Sequence, residues 1–220
     1  MIGPRPAVSL LPMTRPTTKT LFLPGAGASA AFWRPVADRL GPGGTLLHWP
    51  GLGNEAPDPA INGMDDLVAL VLRHMDEPVN IVAQSMGGYV ALRAALAAPA
   101  MVRRLVLAVT SGGVPVSDLG GSDWRADYRR NFPRAAHWIA DPVPDLSEAI
   151  RSIRVPALLL WGDADPISPV AVGERLLSLL PHARLHVVPG ADHDLAHDHA
   201  ALVAGLIGSH LMDGMRTDQP

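Results

Sequence analysis

Six short apolar runs, with stretches patterned as helices between or after them, constrain this chain more than any other feature. The runs are TKTLFLP (18–24), TLLHW (45–49), VNIVA (79–83), RLVLAV (104–109), PALLLW (156–161) and RLHVV (184–188). They are continuous rather than alternating, which marks strands covered on both faces. The helical patterns fall at about 31–40, 64–75, 86–97, 170–180 and 198–211. Repeated strand-helix order predicts an α/β fold: a mostly parallel central sheet with helices on both faces. In such a sheet the ligand site lies beyond the carboxyl ends of the strands. The segment 111–152 breaks the alternation with Gly and Pro punctuation and scattered aromatics, so it is expected to form a short lid. The expected organisation is an N-terminal extension over 1–17, one domain over 18–212 and a flexible tail over 213–220.

Composition narrows the function. At 220 residues the chain suits one domain that buries roughly 70% of its unfolded surface. A net charge of -3 leaves no broad basic surface for nucleic acid or anionic membrane, so a small-molecule partner is expected. The chain has no cysteine, which removes disulfides, thiolate metal sites and cysteine nucleophiles and suits a cytoplasmic location. The start, MIGPRPAVSLLPMTRP, carries no signal-peptide pattern, and no apolar run reaches the roughly 20 residues that span a bilayer.

The stretch NIVAQSMGGYVALRAAL (80–96) passes from a strand through Ser-Met-Gly-Gly directly into a helix. It differs by one residue from G-x-S-x-G, the sharp turn that lifts a Ser hydroxyl above a sheet. Ala83 replaces the first glycine and Gly87 keeps the second position bare. Ser85 is therefore read as a nucleophile; the plainer alternative is a helix cap, which would not require Gly-Gly behind it.

A nucleophilic Ser needs donors for the oxyanion formed when it attacks a carbonyl. Pro24-Gly25-Ala26-Gly27, between a strand and a helix, offers the Ala26 amide, to be joined by that of Met86. The hydroxyl also needs a base, and the base needs an acid to fix its tautomer. Asp163 and Asp165 follow one buried strand and His193 the next, in the order Ser, Asp, His. His197 and His199 are rivals of His193 placed at the opening of the last helix. The cluster HDLAHDH also has metal-ligand spacing, but Asp194 stands where H-E-x-x-H requires Glu, so no metal and no cofactor are expected.

With these motifs in place the sequence resembles the α/β-hydrolase superfamily, and its small single-domain esterase-like members in particular, from about residue 18 to 211. AQSMGG matches the family's G-x-S-x-G-G, which implies Ser85 as nucleophile. WGDADP matches W-G-x-x-D-P and places the acid at Asp165 rather than Asp163. Gly190 to His193 matches G-x-x-H and makes His193 the base, while PGAG stands where His-Gly is usual. HWPGLGNEAP resembles the D-x-P-G-x-G loop, with His48 in place of Asp. The resemblance implies a serine esterase acting on carboxylic esters through an acyl-enzyme.

Within the lid, Trp124, Tyr128 and Phe132 share one face of a helix, where they either roof an apolar pocket or fasten the lid to the body. Trp33, Trp124, Tyr128 and Trp138 are the expected pocket residues for a small to medium ester. Arg125, Arg129, Arg130 and Arg134 are interleaved with them, near Asp118, Asp123 and Asp127, which could neutralise them locally.

Overall fold

The computed structural model describes residues 18–27 and 29–212. The expected N-terminal extension and C-terminal tail lie outside the described residues. Six strands, β1 (Thr20–Leu23), β2 (Gly44–Leu46), β3 (Val79–Gln84), β4 (Val102–Ala108), β5 (Ala157–Gly162) and β6 (Ala183–Val188), form one sheet in the order β2-β1-β3-β4-β5-β6. Every pairing is parallel. The helices are α1 (Arg34–Leu40), α2 (Met64–Arg73), α3 (Met86–Ala97), α4 (Arg125–Asn131), α5 (Val170–Leu179), α6 (Leu195–Asp198) and α7 (Ala200–Met212).

The strand order explains where the helices go. The chain steps outward from β1 to β2, then crosses back over β1 to β3 and continues in the opposite direction to β6. Right-handed crossovers then put α1 on one face and α2, α3 and α5 on the other. The packing agrees: α1 lies against α7, and α2 against α3. The connections reverse direction between β1 and β3, the switch point at which sheets of this kind take their ligands. The loops leaving those two strands carry Ala26 and Ser85.

The core follows from the apolar runs. β3 and β5 are buried at every position, as is β4 from Leu105 onward. α3 is almost entirely covered, burying eight of its twelve residues, because the Gly-Gly and Ala-rich sequence lets it sit close to the strands.

Several boundaries differ from the sequence reading: β2 ends at Leu46 within the 45–49 run, β4 begins at Val102, and α2 ends at Arg73. The first helix opens with a 3-10 turn over Ala30–Trp33, capped by the Ser29 hydroxyl, before α1 proper begins. The last helical run divides into α6 and α7. Between β4 and β5 the irregular segment contains α4 and two 3-10 turns, at His137–Ala140 and Ala149–Ser152.

Leu107 sits at the centre of the sheet, between Ala83 of β3 and Leu159 of β5, with no solvent exposure. Leu107→Ala is expected to lower unfolding free energy by about 2–5 kcal/mol, since close-packed strands on both sides prevent collapse around the cavity. Urea denaturation reads this directly; a loss below about 1 kcal/mol would contradict the tightly packed centre described here.

Candidate active site

Ser85 stands at the junction of β3 and α3 with φ 53° and ψ -125°. Among the described residues only Ser85 and Val109 combine a side chain with a positive φ. Such a backbone costs about 1–3 kcal/mol and persists only where the surroundings over-determine it. Here they do. The Ser85 N–H donates to the Ala108 carbonyl at 2.9 Å, and the Ser85 carbonyl accepts from Gly88 N–H at 2.9 Å. A Cβ on Gly87 would lie 2.5 Å from the Pro24 carbonyl oxygen and 2.8 Å from that of Leu23, so only glycine lets α3 start this close to the end of β1. Ala83, in the position where the motif has its other glycine, is fully buried in β3.

His193 reaches Ser85 from the other side of the site. Its Nε2 lies 3.0 Å from Ser85 Oγ and its Nδ1 2.8 Å from Asp165 Oδ2. Asp165 is buried, and its Oδ1 accepts the N–H groups of Ile167 at 2.8 Å and Ser168 at 3.0 Å. Two amides thus fix the carboxylate so that its second oxygen faces the ring. A carboxylate at Nδ1 requires the proton there, which leaves the Nε2 lone pair directed at the Ser85 hydroxyl.

Asp163 performs a different task. Its Oδ1 accepts the Gly190 N–H at 2.6 Å, tying the loop after β5 to the turn that precedes His193. The two loops also meet through Ala164 N–H and the Ala191 carbonyl at 3.0 Å. A Cβ on Gly162 would collide with that same carbonyl. Gln84, next to Ser85 and buried, donates from Nε2 to the His193 carbonyl at 3.3 Å. Neither contact was predicted from the sequence: both join segments distant in the chain, Gln84 and His193 by 109 positions. His197 turns instead to Asp198, at 3.0 Å, and lies near Phe32; the N–H of His199 closes the short α6 on the Leu195 carbonyl. Among the described residues no group of three or more His, Cys, Asp and Glu is arranged to hold a metal ion.

The expected donors are placed by the starts of α3 and of the loop after β1. Met86 opens α3, where its N–H has no acceptor within the helix. Ala26 follows β1, and the end of that strand is braced by two indoles: Trp33 Nε1 donates to the Leu23 carbonyl at 2.9 Å and Trp49 Nε1 to that of Pro24 at 2.7 Å. Trp33 is 1% exposed and packs against Phe22 and Phe32, so it offers no surface to a ligand. Its expected place in the pocket is corrected to a brace within the core.

Of the aromatics between β4 and β5, Tyr128 is buried and its hydroxyl is bonded to backbone groups of two other loops. It accepts the Gly53 N–H at 2.9 Å and lies 3.2 Å from the Ala26 carbonyl, to which it donates. Burial pushes the phenol above its ordinary value, against the opposing pull of the Gly53 amide, so it stays protonated as a donor through the neutral range. Trp124 is half-buried, edge-on to Tyr128 and under the Arg125 guanidinium. Trp138 lines a cleft of about 370 Å³ with Gly51, Pro57, Ile61 and Arg134. Arg125 pairs with Asp123 and Arg130 with Asp127, so much of the lid's positive charge is spent locally on exposed pairs.

The family model described as the alpha/beta hydrolase family matches residues 20–206. A 2-hydroxy-6-oxononadienedioate/2-hydroxy-6-oxononatrienedioate hydrolase of Paraburkholderia phymatum is 27% identical, over 80% of this chain and 80% of that protein. A pimeloyl-[acyl-carrier protein] methyl ester esterase of Salmonella paratyphi A is 24% identical, over 79% of this chain and 86% of its own. In structure, a serine hydrolase from the polyaromatic hydrocarbon-degrading bacterium Cycloclasticus zankles superimposes with a TM-score of 0.74 at 20% identity, covering 91% of this chain and 92% of the other.

The strain at Ser85 yields a test independent of activity. Ser85→Ala keeps the Cβ and the strain, whereas Ser85→Gly removes both, so the glycine variant is expected to be the more stable by about 1 kcal/mol. Gly87→Ala should destabilise by about 1–3 kcal/mol as α3 is driven off the end of β1. Equal unfolding midpoints for the two Ser85 variants would contradict the strained turn.

Proposed function

The chain belongs to the alpha/beta hydrolase family, and from that premise we propose that it is a serine hydrolase cleaving carboxylic esters of small to medium size. The observation that carries the reading is the continuous line from Asp165 Oδ2 through both nitrogens of His193 to Ser85 Oγ, at 2.8 and 3.0 Å.

The steps follow from the geometry. Ser85 Oγ attacks the ester carbonyl as its proton passes to His193 Nε2, and Asp165 steadies the imidazolium that results. The Ala26 and Met86 amides receive the oxyanion. Nε2–H then protonates the departing alkoxide, leaving an acyl group on Ser85. Water loses a proton to Nε2 as it adds to that acyl carbonyl, and Ser85 Oγ departs with the proton returned. These steps need no group beyond those named. None of Ser85, Asp165 and His193 lines the cleft beside Trp138. It is tied to the site through the backbone, where the Ala136 N–H donates to the Gly51 carbonyl at 2.8 Å, two residues before the Gly53 contact to Tyr128.

A second reading has its own support. The Paraburkholderia relative is a hydrolase of 2-hydroxy-6-oxo dienoates, so cleavage of a carbon-carbon bond beside a ketone belongs in the same substrate panel. Both reactions begin with a nucleophile at a carbonyl, and the fold by itself does not choose between them.

Intact mass after exposure to a fluorophosphonate is expected to show one adduct on the wild type and none on Ser85→Ala or His193→Ala. Absence of an adduct on folded wild type would overturn the proposal. With 4-nitrophenyl butyrate, Asp165→Ala is expected to lower kcat by about 10³–10⁴-fold, as loss of the orienting carboxylate does in such triads. Asp163→Ala, which loses only a loop contact, should cost less than about tenfold. The reverse ranking would assign the acid to Asp163.

A further inference from the structure

We propose that Tyr128 is a positioning residue for the oxyanion loop, so that the lid helix α4 sets the geometry of the Ala26 donor as well as covering the site; the inference rests on the serine hydrolase reading above. Ala26 lies between Gly25 and Gly27, two residues whose backbones have little intrinsic preference. Its amide must nevertheless be aimed before the reaction starts, because a donor that swings into place only as charge develops contributes far less.

The contacts that aim it come from outside the loop. On one side, a Cβ on Gly25 would collide with the Gln84 side chain, and would stand 3.1 Å from Ser85 Cβ, so this glycine is pressed against the nucleophile turn. On the other, the Tyr128 hydroxyl, 102 positions away, spends its single proton on the Ala26 carbonyl. It accepts from the Gly53 amide at the same time, and a Cβ on Gly53 would stand 3.1 Å from the Gly27 carbonyl oxygen. The Phe132 ring, one helical turn beyond Tyr128 and 5.0 Å from it centre to centre, covers Gly27 so closely that a Cβ there would lie 2.8 Å from the ring edge. The peptide plane following Ala26 is thereby fixed by α4, while the plane before it, which carries the Ala26 N–H, is confined by Gln84 and Ser85; with both neighbours of the Ala26 Cα held, the direction of that N–H is set. A pocket wall would need none of this: the phenol is buried and its hydroxyl faces backbone groups.

The test compares wild type, Tyr128→Phe and Gly27→Ala with 4-nitrophenyl butyrate as substrate and an alkyl trifluoromethyl ketone as inhibitor. The ketone's hemiketal oxyanion demands the same donors as the transition state. Tyr128→Phe keeps the ring and loses only the hydroxyl. It is expected to lower kcat by about tenfold or more, short of the 10²–10³-fold of a deleted donor, with KM within about threefold. The inhibition constant should rise by the same factor as kcat/KM falls, with the pH profile unmoved because His193 and Asp165 are untouched. Gly27→Ala, which disturbs the loop from the Phe132 side, should show the same parallel losses and carries the test should Tyr128→Phe not fold. Arg130→Ala, at an exposed position on α4, should match wild type. A wild-type kcat in Tyr128→Phe, or a loss confined to KM, would overturn the proposal while leaving the hydrolase reading intact. A wild type that neither turns over the ester nor takes up the fluorophosphonate would overturn that reading itself.

Discussion

The close approach of α3 to the end of β1 is the contact on which the rest of the site depends. With no side chain at Gly87, the first turn of α3 rests on the Leu23 and Pro24 carbonyls, and the chain at Ser85 must take a positive φ to make the turn. A relaxed turn would place the hydroxyl elsewhere. The same carbonyls accept the indole N–H groups of Trp33 and Trp49, so the surface against which α3 is pressed is itself held from behind. Strain at one residue is sustained because both partners of the contact are rigid.

The other half of the site follows from strand adjacency. β5 and β6 are parallel neighbours in register from Ala157↔Ala183 to Gly162↔Val188, so the loops leaving them emerge side by side. Gly162 and Ala191 come together where any side chain on Gly162 would intrude, and Asp163 binds the Gly190 amide. Asp165 and His193 meet because the loops that carry them are joined at three points before either functional atom is reached. Gln84 then connects that assembly to the Ser85 turn.

What could be read from the sequence was what local pattern encodes. Fully buried strands show as continuous apolar runs, and the turn at Ser85 shows as a small-residue sequence, because both are properties of neighbouring residues. Asp165 could be separated from Asp163 only through a family pattern; the physical difference is in their partners, His193 for one and the Gly190 amide for the other. Trp33 was misread for a related reason. An aromatic after a glycine-rich loop looks like a pocket wall until its indole is seen to be spent on the Leu23 carbonyl. The Tyr128 hydroxyl and the Gln84 amide act across more than a hundred residues, and no periodicity in the sequence carries that information.

The proposed role of Tyr128 couples specificity to rate through one segment of the chain. The fold by itself does not choose a substrate: relatives that match most of this chain are an acyl-carrier methyl ester esterase in one case and an oxo-dienedioate hydrolase in another. The irregular segment between β4 and β5 supplies Arg134 and Trp138 to the cleft beside Ile61. That same segment supplies α4, whose Tyr128 is bonded to the backbone of the donor loop. On the proposed role of Tyr128, a change in this segment that displaces α4 would also move Ala26 relative to Ser85. Met86 belongs instead to α3, whose start is set by Gly87 against the end of β1. On that proposal Tyr128, Phe132 and Gly27 would have to vary together, because their contacts meet at the peptide between Ala26 and Gly27.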